Sequence, residues 1–274
     1  LPYALLIILM SIYTRIDGVL LHELAVNGNM EAGIYAKGFR LLDALYMFGM
    51  IFAGLLFPMF SNLLQESVQK VRELVLISAN FLMSGVIVVV FVIILHHQEI
   101  LQLIYTSNAR AELPFIWLML SFIGIAMNFV FGTLLTANGN LKELNIISAI
   151  GVVINISLNI VLIPKYGATG AGFTAFITQI VMAITQFILC AKNIHLTVGF
   201  IQIGKWLLFT LSLMSSILLL NFALMNLEDQ NLLNDSPMLF GLILVIEFML
   251  GLILMFIFKF IELKPLKNLF LSRS

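Results

Sequence analysis

Runs of about 20 predominantly apolar residues, the length needed to cross a bilayer, recur along almost the whole of this chain. Hydrophobic residues make up 61% of it and the mean hydropathy is +1.10. Soluble domains hold roughly 45–50% apolar residues, and a soluble core of this length has no use for the excess. A bilayer does. Against that background Arg15, Asp17 and Arg40 fall inside segments otherwise suited to hydrocarbon, in a chain where only 10% of residues are charged. A charge at bilayer depth costs roughly 2.5–3.5 kcal/mol on insertion scales, so it usually faces a partner or a water-filled pathway. The expectation is an all-α, polytopic membrane bundle with a polar route through it.

Other classes find little support. The formal net charge is zero, so no global field points to nucleic acid. The single cysteine, Cys190, excludes an internal disulfide and fits no zinc spacing. His22, His96, His97 and His195 fall near predicted helix ends without a paired-ligand pattern, so interfacial positions are expected for them. The chain opens at Leu1 directly in an apolar run, with no basic segment or cleavage site before it. It reads as a fragment, or as the C-terminal part of a longer chain.

Eight spans are predicted, at 2–24, 33–56, 74–95, 114–136, 144–163, 168–190, 206–226 and 237–260. Pro2, Pro114 and Pro237 open helices where a missing N–H is tolerated, and Pro58 and Pro164 mark ends. The stretch 99–105 reads as interfacial. With Leu1 placed in the cytoplasm, the inner loops and tail hold Lys70, Arg72, Lys142, Lys192, Lys205, Lys259, Lys264, Lys267 and Arg273. The outer loops hold Arg110 and Lys165, with Glu228, Asp229 and Asp235 in the last one. This positive-inside asymmetry predicts both ends in the cytoplasm. The basic tail 262–274 would lie near anionic headgroups.

The polar residues form stripes. Ser11, Thr14, Arg15, Gly18 and His22 share a face of the first helix, with Asp17 at its flank. Arg15 and Asp17 are about 200° apart around the helix, so each needs a partner from another helix. The second helix offers Lys37, Arg40 and Asp43 at three-residue spacing. A rise of 1.5 Å per residue puts Arg15 roughly 20 Å into the core from the inside and Arg40 roughly 10 Å from the outside, in one layer. One expectation is a basic cluster of Arg15, Lys37 and Arg40 lining an aqueous cavity, suited to phosphate. The alternative is a snorkelling Lys37 and a structural Arg40–Asp43 clasp.

The fifth helix carries Asn145, Ser148, Asn155 and Asn159, as interhelical glue or as oxygen ligands. The sixth opens on Gly167-Ala168-Thr169-Gly170-Ala171-Gly172, read as tight packing, and continues with Thr174, Thr178 and Thr185. Glu247 stands alone in the eighth, either protonated or paired across helices.

Three blocks carry a resemblance. They are Tyr13-Thr14-Arg15-Ile16-Asp17 before Leu20-Leu21; Gly33-Ile34-Tyr35-Ala36 leading to Arg40-Leu41-Leu42 and Leu56-Phe57-Pro58; and Asn155, Asn159 and Ile163-Pro164-Lys165-Tyr166-Gly167-Ala168-Thr169-Gly170-Ala171. In this order they resemble the C-terminal lobe of polysaccharide and O-antigen flippases of the multidrug/oligosaccharidyl-lipid/polysaccharide exporter superfamily, over about residues 1–192. The resemblance implies a six-helix lobe at 1–192, two further helices and a basic tail at 193–274, and an N-terminal lobe of the same protein preceding both. It implies alternating-access export of an undecaprenyl-pyrophosphate-linked oligosaccharide across the bacterial inner membrane, with a polysaccharide polymerase as a partner. Arg40 matches a cavity arginine of the related lipid II flippases. Asp17, Asn155 and Asn159, and more loosely Thr174, match positions that bind sodium there; Asn159 departs from an acid in that pattern, so sodium or proton coupling is what the resemblance implies. Apolar 239–258 would suit the lipid tail.

The expected function is therefore flippase rather than enzyme, with Arg15, Lys37 and Arg40 on the pyrophosphate, Asp17 orienting the arginines, and no cofactor. The alternatives are a lipid II flippase and a multidrug cation antiporter of the same fold, the latter disfavoured by a basic cluster. A membrane-bound polymerase or acyltransferase would want a large outer loop, and every predicted loop is shorter than about 20 residues. A non-transporting scaffold would not need the intramembrane charges.

Overall fold

The computed structural model describes residues 2–105, 109–196, 200–227 and 237–260. Glu228, Asp229, Asp235 and the basic segment 262–274 lie outside the described residues. The architecture is all-α, with no strand among the described residues. In chain order the helices are α1 (Pro2–Leu24), α2 (Gly28–Glu66), α3 (Val68–Leu95), the short α4 (His97–Ile104), α5 (Glu112–Ala137), α6 (Leu141–Ile194), α7 (Phe200–Leu227) and α8 (Pro237–Ile257). Seven of them are long and apolar enough to cross a membrane.

The 54-residue α6 is two spans, not one. Gly167 interrupts it at φ 54°, ψ −132°, a conformation open to glycine because no Cβ meets the neighbouring carbonyl. The chain reverses there. A Cβ on Gly170 would lie 2.7 Å from the Leu162 carbonyl oxygen, and one on Gly151 would lie 2.6 Å from Met182 Sδ. Residues so far apart in sequence meet only if the limbs 141–166 and 168–194 run antiparallel, each longer than the roughly 20 residues of a span. The eight expected spans are thus present, but the fifth does not end at Pro164. It remains helical to Tyr166, and glycine makes the turn.

A second boundary also moves. α2 runs straight through Pro58 to Glu66, so the expected stop there is wrong. Proline removes one N–H, but 39 residues of helix, about 58 Å, leave the other backbone bonds to carry the segment across. Such a helix exceeds a hydrocarbon core of about 30 Å and projects beyond it.

Packing follows residue size. α5 sits centrally, against α2, α3 and α6. It approaches closely where small residues allow: a Cβ on Gly124 would lie 2.7 Å from the Gln179 backbone, and one on Gly172 would lie 3.1 Å from the Pro114 carbonyl oxygen. The small-residue stripe is therefore a packing device. One core gathers Leu21, Tyr35, Phe115, Leu118 and Ala171. A separate one joins α3, α7 and α8 through Val88, Phe209, Leu213 and Met255. α7 and α8 lie against α3, while α1 packs on α6 and α2.

Candidate functional site

Asp17 is the centre. Its side chain faces away from Arg15, as two-residue spacing on a helix requires, and it is 1% exposed. Tyr35 Oη donates to its Oδ2 at 2.8 Å; Asn155 Nδ2 and Asn159 Nδ2 donate to its Oδ1 at 3.0 and 2.7 Å. Asn159 also donates to Asn155 Oδ1 at 3.0 Å. Three neutral donors from α2 and the first limb of α6 thus hold one carboxyl group. Asn155 and Asn159 project together because they are one turn apart, and the register of the hairpin, with Gly151 against Met182 and Gly170 against Leu162, puts Thr178 and Thr174 level with them. Asn159 Oδ1, Thr174 Oγ1 and Thr178 Oγ1 are buried without a hydrogen-bond partner in the structure.

These unpartnered oxygens bear on the sodium that the resemblance implies. A hard monovalent cation takes oxygen ligands, and Asp17, Asn159 and Thr174 supply them; Asn155 would add one by turning its amide, since amide orientation is assigned from the hydrogen-bond network. The donor set fits a cation. It is poor in charge, with a single carboxylate, and among the described residues no cluster of three His, Cys, Asp or Glu side chains exists for a divalent metal.

Asp17 lies in the wall of a cavity of about 440 Å³ between α1, α2 and α5, with Arg15, Asp43, Tyr46, Ser121 and Gln179. Arg15 leaves α1 on the other side and reaches α2. Its guanidinium meets Asp43 with two contacts, Nη2 to Oδ1 at 3.2 Å and Nη1 to Oδ2 at 3.5 Å, and lies 5.8 Å from the centre of the Phe39 ring. This pair is open, with side chains 62% and 42% exposed.

The expected basic cluster does not form. Lys37 is on the opposite side of α2 from Tyr35, about 200° away, and places its ammonium 5.5 Å from the centre of the Tyr105 ring. Arg40 is exposed and is not in the cavity wall. The Arg40–Asp43 clasp also fails, because Asp43 is taken by Arg15. One guanidinium and two carboxylates face the cavity, so its balance is acidic where a net basic one was expected. The position of α2 about its own axis decides this, and α5 sets that position through Gly38 against Phe115 and Leu118.

Two further polar contacts lie outside this site. Glu31 caps the turn of the α6 hairpin: its Oε2 accepts from the Ala168 N–H at 2.7 Å, its Oε1 pairs with Arg110, and it sits over Gly167. A carboxylate at a helix N-terminus meets the positive end of the dipole. Glu247, on α8, is fully buried against His96, whose Nε2 lies 3.0 and 2.9 Å from its two oxygens, with Phe240 edge-on to the imidazole. It is therefore paired across helices, one of the two options open from sequence. Tyr35 was legible, since Tyr35, Phe39, Leu42 and Tyr46 repeat at three- and four-residue steps on one face of α2. Glu31 was not, because nothing in its local sequence marks a contact 137 residues away.

Fold and site together define a multi-pass α-helical membrane protein with a buried carboxyl group beside an open cavity that carries the Arg15–Asp43 pair. Compared with known proteins, the chain matches no family model and no curated protein.

Proposed function

We propose that this chain is a lobe of a membrane transporter that moves a lipid-linked oligosaccharide, carried on undecaprenyl pyrophosphate, from the inner to the outer leaflet of a bacterial cytoplasmic membrane. The observation that carries the transport reading is Asp17, an almost fully buried carboxylate held by Tyr35, Asn155 and Asn159 in the wall of a cavity that also holds the open Arg15–Asp43 pair. Ionisable groups inside spans mark substrate or ion pathways. The substrate class rests on the three sequence blocks. Arg15 is the group that would meet a pyrophosphate, by exchanging the Asp43 carboxylate for phosphate oxygens in the same two-contact geometry. Asp43, released, would face the cavity as a free carboxylate. Lys37 and Arg40 stand outside this cavity and would reach substrate only in another arrangement of the lobes.

Asp17, Asn159 and Thr174, with Asn155 turned, would hold a sodium ion; Asp17 would carry a proton if the coupling ion is H⁺. A bound cation would favour whichever lobe arrangement keeps its ligands together, so coupling follows from differential affinity for the two arrangements. Both ends of the chain would be cytoplasmic by the loop charges.

The decisive measurement is flipping in proteoliposomes of full-length protein, read by lectin access to an undecaprenyl-pyrophosphate-linked sugar. Arg15→Ala should lose flipping at least about tenfold while Arg40→Ala loses less; unchanged flipping in Arg15→Ala removes the pyrophosphate assignment. The acidic cavity favours one rival, a cation antiporter. Gradient-driven uptake of a cationic dye that needs Asp43, with no flipping, would establish that reading instead.

A further inference from the structure

A further polar feature lies at the other end of the bundle from the Glu31 cap, where α3 and α7 begin and α8 ends. A cleft of about 380 Å³ there is lined by Glu73, Asn80, Gln202, Lys205, Lys259 and Phe260, with Leu76 and Ile77 at its base. Gln202 Nε2 donates to Asn80 Oδ1 at 2.7 Å, tying α7 to α3 and leaving the Asn80 amide nitrogen turned to other partners. Lys205 and Lys259 are exposed, and neither is ion-paired among the described residues. Glu73 is the one carboxylate in the wall, and it accepts from Gln69 at 3.3 Å.

Lys259 is held there by an unusual backbone. α8 closes in a Schellman turn, with Phe260 N–H to Met255 C=O and Lys259 N–H to Phe256 C=O, both 3.0 Å. The residue at the left-handed position of such a turn is usually glycine; here it is Lys259, at φ 55°. A side chain in that conformation meets a carbonyl oxygen, so an outlier of this kind points to a use for the side chain. The turn is fixed from behind by aromatic contacts. Phe260 stacks on Trp206 at 4.6 Å and meets Phe209 edge-on at 5.2 Å. Directly beyond Lys205, Leu207, Leu208 and Leu211 are each about 60% exposed along α7, and Phe256 and Ile257 are comparably exposed on α8.

Two ammonium groups and an amide around a small cleft, a tryptophan at the same level, and bare leucine below them are the parts of a site for one lipid molecule. We propose that this cleft binds the headgroup of an anionic phospholipid, with the phosphate on Lys205 and Lys259, headgroup hydroxyls on Glu73 and Asn80, and an acyl chain along Leu208 and Leu211. Basic pockets between spans select anionic headgroups in this way, and the two lysine stems reach the interface while remaining against apolar surface. The net charge of the wall, two lysines against one glutamate, matches the single negative charge of phosphatidylglycerol. The site is independent of the transport reading and needs only that α3, α7 and α8 cross a membrane.

Trp206 is its reporter. The chain holds two tryptophans, so Trp117→Phe leaves Trp206 alone. In nanodiscs, brominated phosphatidylglycerol should quench Trp206 with an apparent affinity about fivefold above brominated phosphatidylcholine, the factor expected for one net basic charge near the surface. Lys205→Gln with Lys259→Gln should bring the ratio to one. Lys259→Gly is the control for folding, because glycine relaxes the turn. It should keep or raise the thermal midpoint while lowering the lipid preference. Equal quenching by the two lipids in the parent chain, or a preference that survives the double substitution, overturns the proposal. So does brominated phosphatidylethanolamine quenching as well as phosphatidylglycerol. Relief of quenching by millimolar inorganic phosphate would assign the cleft to a soluble phosphate compound and likewise overturn it.

Discussion

Asp17 and Glu247 are both carboxylates almost wholly buried in apolar helices, and they are treated in opposite ways. Asp17 is surrounded by three neutral donors, beside a cavity, with unpartnered oxygens of Asn159, Thr174 and Thr178 close by. Glu247 has one partner, the His96 imidazole, which grips both of its oxygens beneath Phe240. A lone pair of this sort can be complete: two groups that satisfy each other fasten α8 to the end of α3. The Asp17 arrangement is not complete in that sense. Its neighbours hold more hydrogen-bonding capacity than they use, and buried polar atoms without partners are costly unless something else visits them. The contrast separates a self-contained fastening from an arrangement with unused hydrogen-bonding capacity, although composition alone makes the two acids look alike.

The largest expected effect breaks the fastening. His96→Ala leaves Glu247 buried without its partner and should destabilise the fold by about 3–5 kcal/mol, read as denaturation in detergent. The apolar pair His96→Phe with Glu247→Leu should recover most of that, because two satisfied charges are replaced by packing. A double variant as unstable as the single one would mean that the pair does more than hold α8 down.

The matching experiment at Asp17 sharpens the other half. Asp17→Leu removes the acceptor for Tyr35, Asn155 and Asn159 and should cost about 1–3 kcal/mol in all, since the Asn159 amide keeps Asn155 Oδ1 as an acceptor. Asp17→Asn keeps the shape and should cost far less stability, yet lose flipping and any response to sodium or pH. If Asp17→Asn transports as the parent does, Asp17 is a fastening too and the distinction fails.

Overpacking comes next. Gly49 faces the Phe129 ring so closely that a Cβ has no room, so Gly49→Ala should cost about 1–3 kcal/mol. Gly54, also on α2, has nothing within 4 Å, and Gly54→Ala should stabilise by about 0.5–1 kcal/mol. Equal thermal shifts in the two variants would show that α2 is turned differently from its position here.

A pH dependence separates the two acids further. Burial works against the charged His96 imidazolium, but the hydrogen bond and charge of Glu247, helped by Glu99, outweigh it and raise the pKa above its ordinary value. A raised folded-state value means stability that is complete below about pH 6.5, the ordinary histidine value, and is lost as pH rises through the raised one. The thermal midpoint should therefore fall over that range in the parent and not in the His96→Phe, Glu247→Leu variant. The smallest stability effect is at Arg15–Asp43, where Arg15→Ala should cost at most about 1 kcal/mol because the pair is open to solvent. A large loss there would mark that pair as structural.

Much of this arrangement could be read from residue order. The 2–24 span matches α1, whose far end falls where Glu23 and Asn27 interrupt the apolar run. Asn155 and Asn159 were legible as a unit from their one-turn spacing, and the need of Asp17 for a partner on another helix followed from its angle to Arg15. The ends of α2 were not legible, since Pro58 argues locally for a stop and only the surrounding helix overrides it. Nor was the split between Arg15 and Arg40. Depth along a helix accumulates at a fixed rise per residue and can be counted, whereas the direction a side chain faces depends on how the whole helix is turned against its neighbours.

By itself, then, the sequence determined that this is an all-α bundle, which of its described segments are long and apolar enough to cross a membrane, and that its interior carries ionisable groups, because each of those follows from the local cost of placing residues in hydrocarbon. Only the tertiary structure decided which groups meet: Asp43 for Arg15, Tyr35 and two asparagines for Asp17, His96 for Glu247, and Glu31 for the hairpin at Gly167. Those pairings depend on the relative rotation of packed helices, which is fixed by contacts such as Gly38 on Phe115 and Gly124 on Gln179 between residues far apart in the chain.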